Sequence, residues 1–481
     1  MSSPTPAGTL SPPLYVDLDG TLIRSDLLLE GLCRLAREAP WSLWAVPFWL
    51  IRGKAYFKGR VAERVTVDPT LLPFHADFLA YLRAEKAKGR RLVLASASHR
   101  SAVQPVADHL RLFDGVMATE GDRNLRGAQK RDAILTAESE RGFDYAGNAM
   151  PDLPIWKVAR RAILANAAPR TVAAARRVAE IDCVFDDRPP RLATVARALR
   201  LHQWAKNLLL FVPLIAGHRV RHLPSLGQAA VAFLAFGLCA SAVYLVNDLM
   251  DLASDRRHPR KRERPFASGA LDLGAGFVLI PGLLLASGLL AATLPVGFGA
   301  LLGLYVVITF AYSFGLKRIV MMDVLVLAGL YTLRVLAGAA ATAVRPSFWL
   351  LAFSMFVFLS LALTKRVSEL ADPRPVATAA SSGRGYLSSD LDLLRSLGAS
   401  AGYLSVLVLA LYLNSRDVAV LYSSPAALWL LCPVLLYWIS RMWLVTMRGQ
   451  LQEDPVVFAL KDRVSWGVCA LAALIVAVAT R

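Results

Sequence analysis

The apolar residues of this chain follow two patterns, and the change occurs at about residue 190. Before that point, short apolar runs at 14–16, 91–95 and 143–147 end in polar residues, which is typical of buried parallel strands. After that point, the apolar runs are long enough to cross a bilayer. We therefore predict an α/β domain followed by an all-α polytopic membrane domain. The predicted ranges are 1–13 for a disordered N-terminus, 14–188 for the α/β domain and 189–481 for the membrane domain.

The stretch between the first two predicted strands contains a tryptophan-rich apolar segment over residues 41–51. This segment is too short to span a bilayer. We interpret it as the core of a helical insert, in preference to a surface that dips into the membrane.

Hydropathy and length predict about nine transmembrane helices. They centre near 193–216, 224–248, 272–293, 297–314, 320–342, 346–364, 397–414, 424–446 and 464–480. Alternate loops, beginning with 256–264 and 317–318, carry most of the Lys and Arg residues. Because positive loops stay in the cytoplasm, we expect an integral protein of the bacterial cytoplasmic membrane. Its soluble domain and active sites are expected to face the cytoplasm.

The composition agrees with a membrane protein and limits its partners. Hydrophobic residues make up 56% of the 481 residues, and the formal net charge is +18. Positive charge beside membrane spans sets topology and contacts anionic lipid, so the bilayer is an expected partner. The basic residues lie in short loops, so we expect no nucleic acid partner. The five cysteines show no paired spacing, and we assign them no role.

An acidic motif lies at the predicted cytoplasmic end of the second span. Asp248, Asp251 and Asp255 are spaced to share one face of a helix, where they repel each other unless a cation joins them. Hard oxygen ligands suit Mg²⁺, and Mg²⁺ suits a diphosphate. Cations in the basic stretch that follows could bind the remaining phosphate oxygens. We therefore predict a magnesium–diphosphate site at the membrane surface. The candidate cations are Arg256, Lys261 and Arg264.

The motif, the number of spans and the loop placement resemble the UbiA superfamily of intramembrane prenyltransferases over about residues 191–481. The resemblance implies that Asn247 and the three aspartates bind Mg²⁺ and a diphosphate, with Asp248 and Asp251 as catalytic residues. Aromatic prenyltransferases of this family share a second aspartate pair after the sixth span. Here that loop carries Lys365 and Arg366 instead. Cations there would bind a phosphate directly, which favours substrates with more phosphate.

Several segments are similar to the polyprenyl-phosphate phosphoribosyltransferase branch of this family, among them 201–207, 312–317, 365–369 and 453–455. The implied donor is phosphoribosyl pyrophosphate and the implied nucleophile is a polyprenyl phosphate. Lys206 and Lys317 are candidate substrate-binding residues, although both could anchor span ends at the headgroups. One alternative is prenyl transfer from a prenyl diphosphate to an aromatic or other acceptor. Another is a membrane scaffold or transporter.

The sequence Asp-Leu-Asp-Gly-Thr directly after the first predicted strand resembles the haloacid dehalogenase superfamily, over about residues 14–188. The resemblance implies a Rossmann-like α/β domain with a helical cap. It further implies that Asp17 attacks phosphorus, Asp19 acts as acid and base, and Thr21 lies near the phosphate. Ser96 fits the phosphate-binding hydroxyl, and Lys130 fits the lysine that offsets charge on the phosphoaspartate.

The last motif of this domain departs from the usual pair of acids, because Asn148 precedes Asp152. The implied Mg²⁺ ligands are Asp17, Asp19, Asn148 and Asp152. The asparagine carbonyl can coordinate the ion, but one charge is lost and affinity should fall. We predict a phosphatase that acts on the 5-phosphate of the membrane product, with an inactive regulatory domain as the alternative.

Overall fold

The computed structural model describes residues 11–121, 124–138, 142–371, 385–415, 418, 422–451 and 454–480. The chain divides into two compact units. The first combines Met1–Ala198 with Leu245–Leu279, and the second combines Leu199–Tyr244 with Ile280–Arg481. The acidic motif thus belongs to the same unit as the N-terminal α/β region, although it follows a long membrane helix in sequence.

The first unit contains a six-stranded parallel sheet in the order β3-β2-β1-β4-β5-β6. The strands are β1 Leu14–Val16, β2 Leu92–His99, β3 Gly115–Thr119, β4 Asp144–Gly147, β5 Arg161–Ala165 and β6 Glu180–Phe185. In the centre, Val16 pairs with Leu94 on one side and with Ala146 on the other. The strand order reverses between β1 and β4, and the carboxyl ends of strands at such a point form the ligand crevice of open α/β sheets. The predicted α/β fold is confirmed.

Nine helices accompany the sheet in the described residues of the N-terminal part of this unit. They are α1 Leu27–Glu38, α2 Val46–Ile51, α3 Lys54–Arg64, α4 Ala76–Ala87, α5 Arg100–Leu110, α6 Ala128–Ala137, α7 Leu153–Trp156, α8 Pro169–Arg176 and α9 Arg191–Ala198. Alternate residues of β1 enter two separate apolar cores, Leu14 and Val16 with Phe78 in one and Tyr15 with Trp156 in the other. Burial on both faces explains why β1 is an uninterrupted apolar run.

The apolar segment 41–51 is not a core, and our interpretation of it was wrong. Within this fully described segment, Trp49 is the one buried residue, packed on α1 and α3. Trp41, Trp44 and Ile51 are 83%, 78% and 83% exposed. The segment is a short 3₁₀ helix, Pro40–Ala45, followed by α2, and two short helices together can bury a single large side chain.

The remaining helices are α10 Val212–Ala216, α11 Leu223–Met250, α12 Leu252–Arg257, α13 Leu273–Ala292, α14 Val296–Phe314, α15 Met322–Ala341, α16 Phe348–Leu370, α17 Leu391–Leu413, α18 Leu431–Met447, α19 Pro455–Lys461 and α20 Arg463–Ala479. In the described part of the chain, seven segments are long and apolar enough to cross a membrane. The count becomes eight if α19 and α20, bent by 82°, form one span. The all-helical membrane domain is confirmed, with fewer spans than the nine predicted.

The first predicted span, 193–216, is not a continuous helix. α9 ends at Ala198, and Arg200 adopts a left-handed backbone conformation with φ of 51°. A 3₁₀ helix, Leu201–Phe211, then leads into the short helix α10. A non-glycine residue at positive φ interrupts helical hydrogen bonding, so apolar composition alone overestimated this span.

Candidate active sites

Asp17 directly follows β1 at the carboxyl edge of the sheet. Its backbone N–H donates to the carbonyl oxygen of Ala146 at 2.9 Å, so the pairing of β1 with β4 continues to this residue. Lys130, on α6, donates from Nζ to Asp17 Oδ1 at 2.8 Å and to the Tyr145 hydroxyl at 3.1 Å. Burial acts to lower the pKa of Lys130, but the charges of Asp17, Asp152 and Asp19 together with the hydrogen bond to Asp17 outweigh burial, and the pKa is raised. Lys130 is therefore a fixed ammonium ion that offsets negative charge at Asp17.

The carboxylate of Asp19 accepts hydrogen bonds from both sides of the crevice. Ser98 Oγ and Ser96 Oγ, on β2, donate to Asp19 Oδ2 at 2.7 and 3.2 Å. The backbone N–H of Leu27 donates to Oδ1 at 2.8 Å. Burial raises the pKa of Asp19 to about 7, so this carboxyl group can exchange a proton near neutral pH. Ser98 did not stand out in the sequence, although strand alternation places it on the same side as Ser96.

Thr21 lies in the turn after β1 and is completely buried. Its hydroxyl oxygen has no hydrogen-bond partner among the residues that the structure describes. A buried hydroxyl without a partner costs about 1–3 kcal/mol, so a ligand oxygen that bonds to it would remove that cost. This geometry is compatible with the predicted position of Thr21 beside a phosphate.

The loop after β4 brings the fourth motif onto the first. Asp152 Oδ2 accepts from the backbone N–H groups of Asn148 and Ala149 at 3.1 and 3.0 Å. Its Oδ1 accepts from the Tyr145 hydroxyl at 3.1 Å. The carboxamide of Asn148 lies against Gly20, where an added Cβ would come within 2.2 Å of Asn148 Nδ2. Gly20, at φ of 75°, therefore permits close contact between the two motif loops.

These residues fit Mg²⁺ in the kind of donor they offer. Asp17 and Asn148 provide hard oxygens at the carboxyl edge of the sheet, which suits Mg²⁺. Asp19 and Asp152 add carboxylates after the same strands, and like Asp17 they accept hydrogen bonds from protein donors. Among the described residues, no three His, Cys, Asp or Glu side chains converge into a cation site. Asp17, Asp19, Asn148 and Asp152 therefore stay the predicted Mg²⁺ ligands.

The acidic motif of the first unit brings two of its three carboxylates together. Asp248 and Asp255 are 3% and 2% exposed, and both accept from Nη1 of Arg264, at 3.1 and 2.7 Å. Burial raises the pKa of Asp255, and the charge of Arg264 opposes that effect. Two carboxylates that share one cationic nitrogen are placed to share a metal ion. Asp248 and Asp255 are therefore the two acids of this motif that would hold Mg²⁺ together.

Asp251 lies outside this pair, so the prediction that all three acids share one helix face was wrong. α11 ends at Met250 and α12 begins at Leu252, which places Asp251 at the break with φ of −97° and ψ of 8°. Its carboxylate accepts from Nη1 of Arg37 at 3.0 Å. The same nitrogen donates to the carbonyl oxygen of Met250 at 3.0 Å. At this break, the Asp251 carboxylate forms an ion pair with Arg37 of α1.

The candidate cations after the motif have different surroundings. Arg256 donates from Nη1 and Nη2 to Glu30, at 3.0 and 2.6 Å, and from Nε to the carbonyl oxygen of Ala267 at 2.9 Å. Its guanidinium is therefore occupied by protein acceptors, and the structure does not place it at a phosphate site. Lys261 is exposed, and Asn247 is half-buried near the end of α11.

The second unit brings two of the predicted lysines to one carboxylate. Lys206 Nζ and Lys365 Nζ lie 2.7 and 3.3 Å from Asp454 Oδ2. The Tyr331 hydroxyl donates to the same carboxylate at 2.8 and 2.9 Å. Asp454 is also the N-cap of α19, and its Oδ1 accepts from the backbone N–H of Val456 at 3.2 Å. Two ammonium groups and one hydroxyl donor thus converge on a single carboxylate.

Beside the Asp454 cluster, Arg334 donates from Nε to Asn207 Oδ1 at 3.1 Å. The Asn207 side-chain nitrogen is buried and has no hydrogen-bond partner among the described residues. Tyr331 and Arg334 lie inside an apolar span, α15, and the sequence offered only their polarity as a signal.

Two other predicted residues of the second unit lie away from the Asp454 cluster. Arg366 is 2% exposed and forms ion pairs with Asp323 and Glu369, so its prediction as a phosphate-binding residue is not supported. Lys317 is partly buried in the short 3₁₀ helix Leu316–Arg318. Removing an acidic partner would leave the buried charge of Arg366 uncompensated.

The fold defines an integral membrane protein that carries an α/β unit, with carboxylates and lysines arranged for phosphate chemistry. A model of the UbiA prenyltransferase family matches residues 209–461, and a model of the haloacid dehalogenase-like hydrolases matches residues 14–157. The uncharacterized protein y4nM of Sinorhizobium fredii is 36% identical over 96% of this chain and 90% of its own length. The decaprenyl-phosphate phosphoribosyltransferase of Mycobacterium tuberculosis is 34% identical over 57% of this chain and 89% of its own length.

A UbiA homolog from Archaeoglobus fulgidus, solved with DMAPP and Mg²⁺, covers 59% of this chain and 96% of its own at 16% identity, with a TM-score of 0.44. The chain belongs to the UbiA prenyltransferase family and has an N-terminal haloacid dehalogenase-like hydrolase domain. Both resemblances predicted from the sequence are confirmed.

Proposed function

We propose that this protein is a Mg²⁺-dependent transferase that moves 5-phosphoribose from phosphoribosyl pyrophosphate to a polyprenyl phosphate. We further propose that its hydrolase domain removes the 5-phosphate from the product. In this scheme the acidic motif faces the cytoplasm at the inner surface of a bacterial membrane, as the positive loops predict.

The observation that carries the transferase proposal is the pair of lysines on Asp454. Lys206 is 9% exposed, and a buried ammonium group is costly unless an anion compensates it. The two lysines and the Tyr331 hydroxyl converge on Asp454 as hydrogen-bond donors, and donors of this kind also bind phosphate oxygens. A substrate pair with several phosphates uses such a site better than a prenyl diphosphate and a neutral aromatic acceptor do. The relative in Mycobacterium tuberculosis, named as a decaprenyl-phosphate phosphoribosyltransferase, supports the same assignment.

The transfer step needs little acid–base chemistry. A phosphate oxygen of the lipid forms a bond to ribose C1 while the bond from C1 to pyrophosphate breaks, and the electron pair leaves with pyrophosphate. Mg²⁺ bound at Asp248 and Asp255 would stabilise the charge on the departing pyrophosphate. The lipid phosphate is already anionic, so the residues around it bind and orient rather than remove a proton.

In the hydrolase domain, Asp17 would attack phosphorus and form a phosphoaspartate as the ribose oxygen leaves. Asp19 would give its proton to that oxygen and then take a proton from the water that releases phosphate. The pKa of Asp19, raised to about 7 by burial, supports both proton transfers near neutral pH. Lys130 would stabilise the charge that develops around Asp17.

The test supplies the purified protein with labelled phosphoribosyl pyrophosphate, a polyprenyl phosphate and Mg²⁺, and follows lipid products by mass spectrometry. We expect a polyprenyl phosphoribose lipid that appears in the Asp17→Asn variant still carrying its 5-phosphate. Asp248→Asn should abolish transfer, because the carboxylate pair that shares a cation is broken. Asp392→Asn is a matched control in the same chain, since that carboxylate is 91% exposed.

Two outcomes would contradict the proposal. Inert phosphoribosyl pyrophosphate together with turnover of a prenyl diphosphate would favour prenyl transfer. An unchanged phosphate release in Asp17→Asn would remove the assignment of the hydrolase domain, whatever the membrane domain does.

A further inference from the structure

A large apolar surface lies on the helical insert of the first unit. Trp41, Trp44, Phe48 and Ile51 are 83%, 78%, 69% and 83% exposed, and Leu43 and Leu50 lie between them at 40% and 49%. We call these six residues the insert surface. They fall within eleven consecutive positions, so the exposed side chains are neighbours rather than scattered single residues. Contiguous apolar surfaces of this kind mark interaction sites in soluble units.

The insert surface is held by a rigid base. Trp49, on α2, is 6% exposed and packs in a core with Leu35, Phe57 and Val61. The guanidinium of Arg64 stacks 4.5 Å from the ring centre of Trp49. Because Trp49 holds one side of α2 in this core, the residues on the opposite side of the helix face outward in a fixed orientation.

The charges around the insert surface identify its partner. Residues 39–62 contain no Asp or Glu, and the cations Arg52 and Lys54 follow the insert surface directly. Arg52 and Lys54 are exposed beside Ile51. Tryptophan and other large apolar side chains flanked by cations are the composition of surfaces that enter the headgroup region of anionic bilayers.

We propose that the insert surface docks into the headgroup layer of the membrane that the same chain spans. The chain is an integral membrane protein, so the bilayer is tethered to this surface at high effective concentration, and weak insertion suffices. A lipid surface matches both properties of the patch, its exposed indole rings and its lack of negative charge.

The insert surface has a consequence for the hydrolase site, and this part rests on the proposed function. α3 packs with α2, and Lys58 of α3 donates from Nζ to the carbonyl oxygen of Ala97 at 2.6 Å and to Asn124 Oδ1 at 3.0 Å. Ala97 lies between Ser96 and Ser98, the two residues that bind Asp19. The insert that docks on lipid is therefore bonded to the rim of the crevice. The hydrolase site would then act on phosphate monoesters displayed at the membrane surface in preference to soluble ones.

The docking itself can be tested without any activity. Full-length protein is placed in nanodiscs that contain an anionic phospholipid with a photoactivatable diazirine near its headgroup, and labelled peptides are mapped by mass spectrometry. We expect label on the peptide that contains residues 41–51 and none around Val184, which is 46% exposed on the edge strand β6. The membrane helices serve as the internal positive control. Labelled membrane helices with an unlabelled 41–51 peptide would overturn the proposal.

The functional consequence needs a second measurement. Trp41→Ser, Trp44→Ser and Phe48→Ser are combined in one variant, which removes exposed side chains and leaves Trp49 in place. We expect phosphate release from a bilayer-embedded monoester to fall about tenfold, while release from soluble p-nitrophenyl phosphate is unchanged. Val184→Ser is the control and should change neither rate. Equal rates of the triple variant and the wild type on the embedded monoester would refute the link to substrate choice. A wild type inert on both monoesters would instead contradict the proposed hydrolase function and leave the labelling result to decide the docking.

Discussion

The buried ion pair between Glu30 and Arg256 allows a prediction with a defined magnitude. The two side chains are 5% and 7% exposed, and two hydrogen bonds of 3.0 and 2.6 Å join them. The hydroxyl of Ser25 also donates to Glu30. Removing one partner of a buried pair leaves the other charge uncompensated, which typically costs about 3–5 kcal/mol. We expect Glu30→Met to lower the free energy of unfolding of the first unit by about that amount.

Two controls separate the pair from its surroundings. Replacing both partners, in Glu30→Met with Arg256→Met, removes the uncompensated charge, so stability should return to within about 1–2 kcal/mol of the wild type. The neighbouring pair of Arg257 and Asp68 is 3.5 Å long and its side chains are 65% and 34% exposed. Asp68→Asn should therefore cost less than about 1 kcal/mol.

The assay is urea unfolding of the purified full-length protein in detergent, followed by proteolytic susceptibility of the first unit. Glu30→Met, Arg256→Met and the double variant form a double-mutant cycle with the wild type, and the coupling energy is read from it. Glu30→Met and Asp68→Asn should differ by more than about 2 kcal/mol. Equal midpoints for these two variants, or a coupling energy near zero, would show that the pair is not formed.

Three further predictions concern other buried charges. Lys130→Met should slow phosphoaspartate formation at least about 100-fold in single-turnover experiments, because the charge at Asp17 loses its ammonium partner. Asp454→Asn should lower lipid product formation about tenfold or more by leaving two lysines without their shared carboxylate, and unaltered product would count against a phosphate site there. Burial lowers the pKa of His75 below 6.5, against the opposing charge of Asp187. Since the folded state then binds fewer protons, stability should be lost as pH falls below 6.5, and His75→Asn should flatten that dependence in urea midpoints measured between pH 7 and pH 5.

Much of the fold followed from local patterns. A short apolar strand buried on both faces reads as an uninterrupted run, so β1, β2 and β4 were predicted near their observed positions. The acids after β1 could be recognised as a site because they follow a buried strand directly. The membrane domain was predicted from its long apolar helices, because the composition of a membrane helix must match lipid along the whole length.

The errors occurred where the backbone leaves a regular helix or where a long-range contact decides the outcome. Composition alone made 193–216 a span, but the backbone at Arg200 breaks the helix. Spacing alone placed Asp251 with its neighbours, but the helix break and Arg37 direct it elsewhere. Arg256 was expected at a phosphate, yet Glu30 holds it from more than two hundred positions away in sequence. Nothing local to these residues predicts partners that distant.

The sequence by itself determined which kinds of chemistry this protein can contain: a strand followed by two aspartates, an acidic motif at a helix end, and lysines in short loops. Side-chain type and local periodicity are enough for that, because they depend on near neighbours. The tertiary structure decided which charges meet. It joined Lys206 and Lys365 through Asp454, paired Asp248 with Asp255, and turned the tryptophans of 41–51 outward. Electrostatic and apolar contacts act over a few ångströms of space, whatever the distance along the chain, and only the folded chain sets those distances.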